Sequence, residues 1–166
     1  MAYNIIDLID RSINTSEKIL LLYENAIKDE NAIKDENQFD SFCVLVSIFV
    51  KYRYKKITYY NSLKETLKSN QLRDIDFSTY DKISSLIYEF NNNLSSNWNS
   101  NIKTFIQWII NTNKDGRALL IDIRGRLIER FPKKFELEYD ILTNLIHMEE
   151  KYILDLENTY KDLYDD

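Results

Sequence analysis

The 166-residue chain has two glycines, one proline, one cysteine and one histidine, and each shortage excludes something. A sheet protein needs a turn signal roughly every eight to twelve residues, and so little Gly and Pro cannot supply it. A sandwich or barrel is therefore excluded, and an all-α chain is expected. With Cys43 alone there is no disulfide framework and no cysteine-based zinc or iron–sulfur site. A lone His147 cannot build a histidine-rich metal centre, nor does a Ser-His-Asp set assemble around it. The longest near-apolar run, from Phe42 to Val50, falls short of the ~20 residues that span a bilayer. Asp7 and Asp10 stand where a signal peptide carries bases, so no membrane partner and a cytoplasmic location are expected.

What is present is 44% hydrophobic and 30% charged residues, enough for one helical-bundle domain over 1–166 with a core of its own. The balance of 22 Lys+Arg against 27 Asp+Glu gives a net charge of −5. Nucleic acid or anionic lipid is therefore not expected as the main partner.

Hydrophobic periodicity predicts four long helices and one short one. Ile6, Ile9, Ile13, Ser16, Leu20, Tyr23 and Ile27 recur at spacings of three and four, the seam of a bundle helix over 3–29. A tandem duplication follows, Glu24 to Asp29 and then Glu30 to Asp35. Six residues rotate a helix by about 600°, so the second copy cannot present the same face, and it reads as an insertion at a bundle tip. A second helix begins near Asn37 or Gln38 and reaches about Asn70, with Cys43, Val46, Val50, Tyr54, Ile57 and Leu67 on one stripe. Ser78-Thr79-Tyr80-Asp81 has the form of a capping box and opens a short helix at about 79–93.

The third long helix, 99–131, is drawn straight through Asp115-Gly116 although Asp-Gly favours a turn. The reason is a repeat: Ile110-Asn111-Thr112-Asn113 matches Ile13-Asn14-Thr15-Ser16 of the first helix. Gly116 and Gly125, both inside this helix, suggest close approach of another helix, with Trp98 and Trp108 on the same surface. Pro132 suits the first turn of the last helix, which runs to about Leu163.

This order, two long helices, a long crossover with its own short helix, then two more, resembles the ferritin-like superfamily, and within it the rubrerythrin-type four-helix bundle. The residues that carry the resemblance are Ile110 to Gly125 together with Leu145 to Ile153. It implies a di-iron or di-manganese centre held by one Glu from each of two helices and Glu-x-x-His from each of the others. Position by position, those ligands fall on Ser16, on Tyr54 and Ile57, on Asn113, and on Glu149 and Tyr152. Only Glu149 is a carboxylate, and one carboxylate cannot hold two divalent ions. The expectation is a polar network in place of the metal, with Ser16, Tyr54, Asn113 and Tyr152 serving Glu149.

The resulting reading is a metal-free helical module with no catalytic residues and no cofactor, acting as a homodimer or with a protein partner. One alternative is a redox or iron-handling protein with a displaced centre at Glu17, Glu149, Glu150 and His147. Another is a nucleic-acid module using Lys51, Arg53, Lys55, Lys56 and Tyr59, where cations meet phosphate and rings stack on bases. Tyr54, within that cluster, is assigned to the core. Cys43 reads as a buried, inert thiol.

Overall fold

The structure is a computed structural model that describes residues 2–29, 36–95, 98 and 101–165. It contains α1 (Ile5–Lys28), α2 (Glu36–Leu67), α3 (Phe77–Asn93), α4 (Ile102–Arg130) and α5 (Glu136–Tyr164). Among the described residues there is no strand; one isolated bridge joins Tyr3 to Ile75. The protein is all-α, and no helix is long and apolar enough to cross a membrane among the described residues. The second copy of the tandem duplication, 30–35, lies outside them.

The chain falls into two compact units, Ile6–Leu72 with Ser95–Phe105, and Met1–Ile5 with Arg73–Leu94 and Ile106–Asp166. In the first, α1 and α2 run antiparallel, tied near one end by an ion pair between Asp10 and Lys64 and near the other by the Tyr54 hydroxyl donating to Glu24 at 3.2 Å. Phe105 centres the core of this unit, with the rings of Phe42, Trp98, Phe49 and Tyr23 at 5.0, 4.9, 6.3 and 6.4 Å. Tilted and edge-on rings at such separations are the favourable arrangements.

These aromatics set the phase of α2. Its buried positions are Phe42, Val46, Phe49, Arg53, Tyr60 and Leu67, a seam of three- and four-residue steps to Arg53 and of seven-residue steps beyond it. Of the expected stripe, Val46 and Leu67 are buried, while Cys43, Val50, Tyr54 and Ile57 lie one residue, about 100°, from Phe42, Phe49, Arg53 and Lys56. Tyr54 is 51% exposed, not in the core, and Cys43 is half-buried, not buried.

In the second unit α4 and α5 run antiparallel. Gln107 donates to the Tyr160 hydroxyl at 2.8 Å, Lys114 pairs with Glu157 at 2.5 Å, and Arg124 donates to Thr143 at 3.0 Å. α4 is continuous through Gly116; one glycine costs only about 1 kcal/mol against Ala in a helix interior. Neither glycine marks a tight approach. A Cβ on Gly116 would meet the Phe90 ring at an ordinary 3.9 Å, and one on Gly125 would meet nothing. Trp98 packs edge-on against Phe105 in the core of its own unit, and Trp108 is buried.

Two helix starts differ from expectation. α3 is capped by Asp76, whose carboxylate accepts from the Thr79 N–H at 3.0 Å and the Thr79 hydroxyl at 2.7 Å; Ser78 is already inside the helix. A short Asp side chain reaches the amide three residues on, which serves the orphan donors of the first turn. Pro132 lies in a turn ahead of α5, and Phe135 is the N-cap. The approach to α3 is held by Tyr3, which stacks on Tyr80 at 3.8 Å and accepts from the Ile75 N–H at 2.7 Å.

The internal repeat is matched in burial. Ile13, Thr15 and Ser16 are buried around an exposed Asn14, and Ile110, Thr112 and Asn113 around an exposed Asn111. The matched phrases therefore sit at the same rotational phase of α1 and α4.

Candidate functional site

The positions on which the resemblance places the metal ligands are divided between the two units. In the α1–α2 unit Ser16 is buried, Ile57 is half-buried and Tyr54 faces solvent. The Glu24 charge, and then the hydrogen bond to Glu24, hold the Tyr54 phenol above its ordinary pKa. Tyr54 is thus engaged at the surface and takes no part in an internal network. In the α3–α5 unit Asn113 and Glu149 are buried, and Tyr152 is half-buried with its hydroxyl inside. The Asn113 amide donates to the Ile109 carbonyl at 2.8 Å, closing on its own helix.

The inward face of α2 lies one residue from the expected positions Tyr54 and Ile57 and carries a cation, Arg53. Arg53 is 2% exposed, with its guanidinium carbon 6.0 Å from the Tyr23 ring centre. Lys56, three residues on, sets its ammonium 5.9 Å from the Tyr60 ring centre. Burial, and then the charge of Arg53, lower the Lys56 pKa well below its usual value. Burial also lifts the Tyr60 phenol to about 12. Both shifts have the sign that desolvation gives, disfavouring whichever form is charged.

The displaced-centre set does not converge on one face of α5: Glu149 is buried, while His147 and Glu150 are exposed. Glu17, on α1, is also exposed. Among the described residues no group of three or more His, Cys, Asp or Glu side chains could hold a metal ion. The basic aromatic cluster is split as well. Lys51, Lys55 and Tyr59 are exposed, Lys56 is half-buried and Arg53 points inward. Fewer cations thus face solvent than the run of sequence suggests.

A polar cleft of about 180 Å³ lies in the α3–α5 unit, lined by Ser78, Thr79, Lys82, Arg126, Glu129 and Arg130. The first three residues come from the opening turns of α3 and the last three from the closing turns of α4. Arg130 approaches the cap, its guanidinium 3.9 Å from Asp76. The Thr79 hydroxyl, the Thr79 N–H and the Arg130 charge all hold the Asp76 carboxyl below its ordinary pKa.

No family model, curated protein or solved structure matches this chain. The residues must therefore speak through their own chemistry. The cleft was not apparent in the sequence, because Lys82 and Arg126 are 44 positions apart and only folding brings them together. The one available signal was the i, i+4 pair Arg126 and Arg130 near a helix end, a pattern common on solvated surfaces.

Proposed function

We propose that this protein is a ferritin-like four-helix bundle with one long crossover that works in the cytoplasm by binding, as a homodimer or with a protein partner, and not by di-iron chemistry. The observation that carries this reading is Arg53, a guanidinium 2% exposed on the inward side of α2. Arginine keeps its charge at any physiological pH. A helix that turns a permanent cation inward is a poor wall for a metal site.

Binding is supported by α2's other side, where Val44 and Ile48, one turn apart, are 64% and 57% exposed. Branched apolar side chains in register on a solvated helix gain when another surface covers them.

Metal analysis of protein made in iron-supplemented cells tests the first half, with well under one iron per chain expected. Two tightly held ions per chain would overturn it. Sedimentation of the parent and of Val44→Glu/Ile48→Glu tests the second half: the parent is expected to self-associate and the variant to be monomeric. The outer stripe of Lys51, Lys55 and Tyr59 favours a second reading, nucleic-acid binding. A salt-dependent affinity for single-stranded oligonucleotides, lost in Lys51→Gln/Lys55→Gln, would favour it over the first.

A further inference from the structure

We propose that the cleft between the start of α3 and the end of α4 binds a phosphate group, free or as the head of a small phosphomonoester. Its lining sets three cations, Lys82, Arg126 and Arg130, against one carboxylate, Glu129, in a chain whose net charge is −5. Among the described residues Arg130 alone of these four has an ion-pair partner, Asp76 at 3.9 Å; Lys82, Arg126 and Glu129 have none. Two of the three cations, Lys82 and Arg126, thus have no ion-pair partner of their own among the described residues, which leaves a positive local potential at the cleft.

Helix termini alone do not explain this arrangement. Arg126 and Arg130 lie in the last turns of α4, where carbonyl groups favour cations. Lys82 lies in the second turn of α3, whose dipole favours anions, so it gains nothing from its own helix. Convergence of cations from two helices is instead what recognition of a multiply charged oxyanion requires. Arginine forks match two phosphate oxygens, and lysine adds a point charge. The hydroxyls of Ser78 and Thr79 supply neutral polar groups at the same wall, although that of Thr79 donates to Asp76.

Size narrows the ligand. Pockets for drug-sized molecules run to roughly 300 to 1,000 Å³, so 180 Å³ suits a phosphate with a short substituent and excludes burial of a whole nucleotide. The charge state narrows it further. A phosphomonoester takes up its second proton near pH 6, and the dianion suits three cations better than the monoanion does.

Titration of the ¹⁵N-labelled 166-residue chain with inorganic phosphate, against sodium chloride at matched ionic strength, tests the proposal. Saturable amide shifts at Ser78, Thr79, Lys82, Arg126 and Arg130 are expected with phosphate and not with chloride. Lys82→Gln and Arg126→Gln, both at exposed positions, are each expected to weaken binding about tenfold. Glu129→Gln, which removes the repelling carboxylate, is expected to tighten it. Affinity should fall as pH drops through about 6. A parallel titration with methyl phosphate separates the sources: tighter binding than inorganic phosphate assigns a monoester, weaker binding the free ion. Unsaturable shifts, shifts that chloride reproduces, or affinities that ignore all three substitutions would overturn the site.

Discussion

Arg53 and Lys56 stand one helical turn apart on α2, and the Lys56 ammonium is depressed first by burial and then by the guanidinium of Arg53. The buried side of this helix therefore holds one permanent cation and one that the fold disfavours.

A lysine whose folded pKa is lowered binds its proton more weakly in the folded than in the unfolded chain. Its protonated form opposes folding, so stability rises as pH climbs from the lowered folded value to the ordinary 10.5. Urea unfolding of the parent from neutral pH towards pH 10 is expected to show that rise. Lys56→Met should flatten it, with its largest gain over the parent at neutral pH. A parent stability that stays level or falls over this range would contradict the assignment.

Tyr60 acts at the other edge of the alkaline range. Its phenol is lifted by burial to about 12 from an ordinary 10.0, so the folded state keeps a proton that the unfolded chain gives up. The contribution is fully present below pH 10 and is lost as pH rises from there towards 12. Two pKa units correspond to on the order of 3 kcal/mol. Tyr60→Phe should remove that part of the alkaline loss, read as a flatter dependence of unfolding free energy on pH. An unchanged slope would show that Tyr60 ionises with equal ease in both states.

The helices were legible in the sequence because their apolar residues repeat on the helical period over many turns. α4 through Gly116 followed from the repeat of Ile13 to Ser16 at Ile110 to Asn113, and the short α3 from its capping sequence. The phase of α2 was not legible for a physical reason. From Phe42 to Val50 nearly every residue is apolar, so periodicity cannot say which side faces in. The choice is made by Phe42 and Phe49 against Phe105, more than fifty positions away. Once that phase shifts by one residue, Tyr54 goes to the surface and Arg53 inward, and the expected internal role of Tyr54 goes with it. The α3 cap was misplaced by two residues because Ser78-Thr79 and Asp76 both have capping chemistry, and only backbone geometry selects between them.

Gly125 offers a test of the α4 surface. A Cβ there would meet nothing within 4 Å, and the helix around it is regular. Gly125→Ala should therefore act through backbone entropy and helix propensity alone, raising stability by about 0.5 to 1 kcal/mol in chemical unfolding. A loss of stability would mean that another molecule, a second copy included, packs closely against this position in solution.

Glu138 should behave in the opposite way from a buried carboxylate that holds a fold together. It is 1% exposed in the first turn of α5, and neither carboxylate oxygen has a hydrogen-bond partner among the described residues. The positive end of the helix dipole favours a negative charge there by a few tenths of a kcal/mol to about 1, whereas burying an unsatisfied charged group costs several. Desolvation wins by that comparison. Glu138→Met, which keeps the length of the side chain and removes the charge, should raise unfolding free energy by about 1 to 3 kcal/mol. Glu138→Gln removes the charge but buries amide donors and should fall between Met and the parent. Destabilisation by Met, with Gln destabilising less, would show that the carboxylate is satisfied by a group that binds it in solution and that its burial is maintained by that contact.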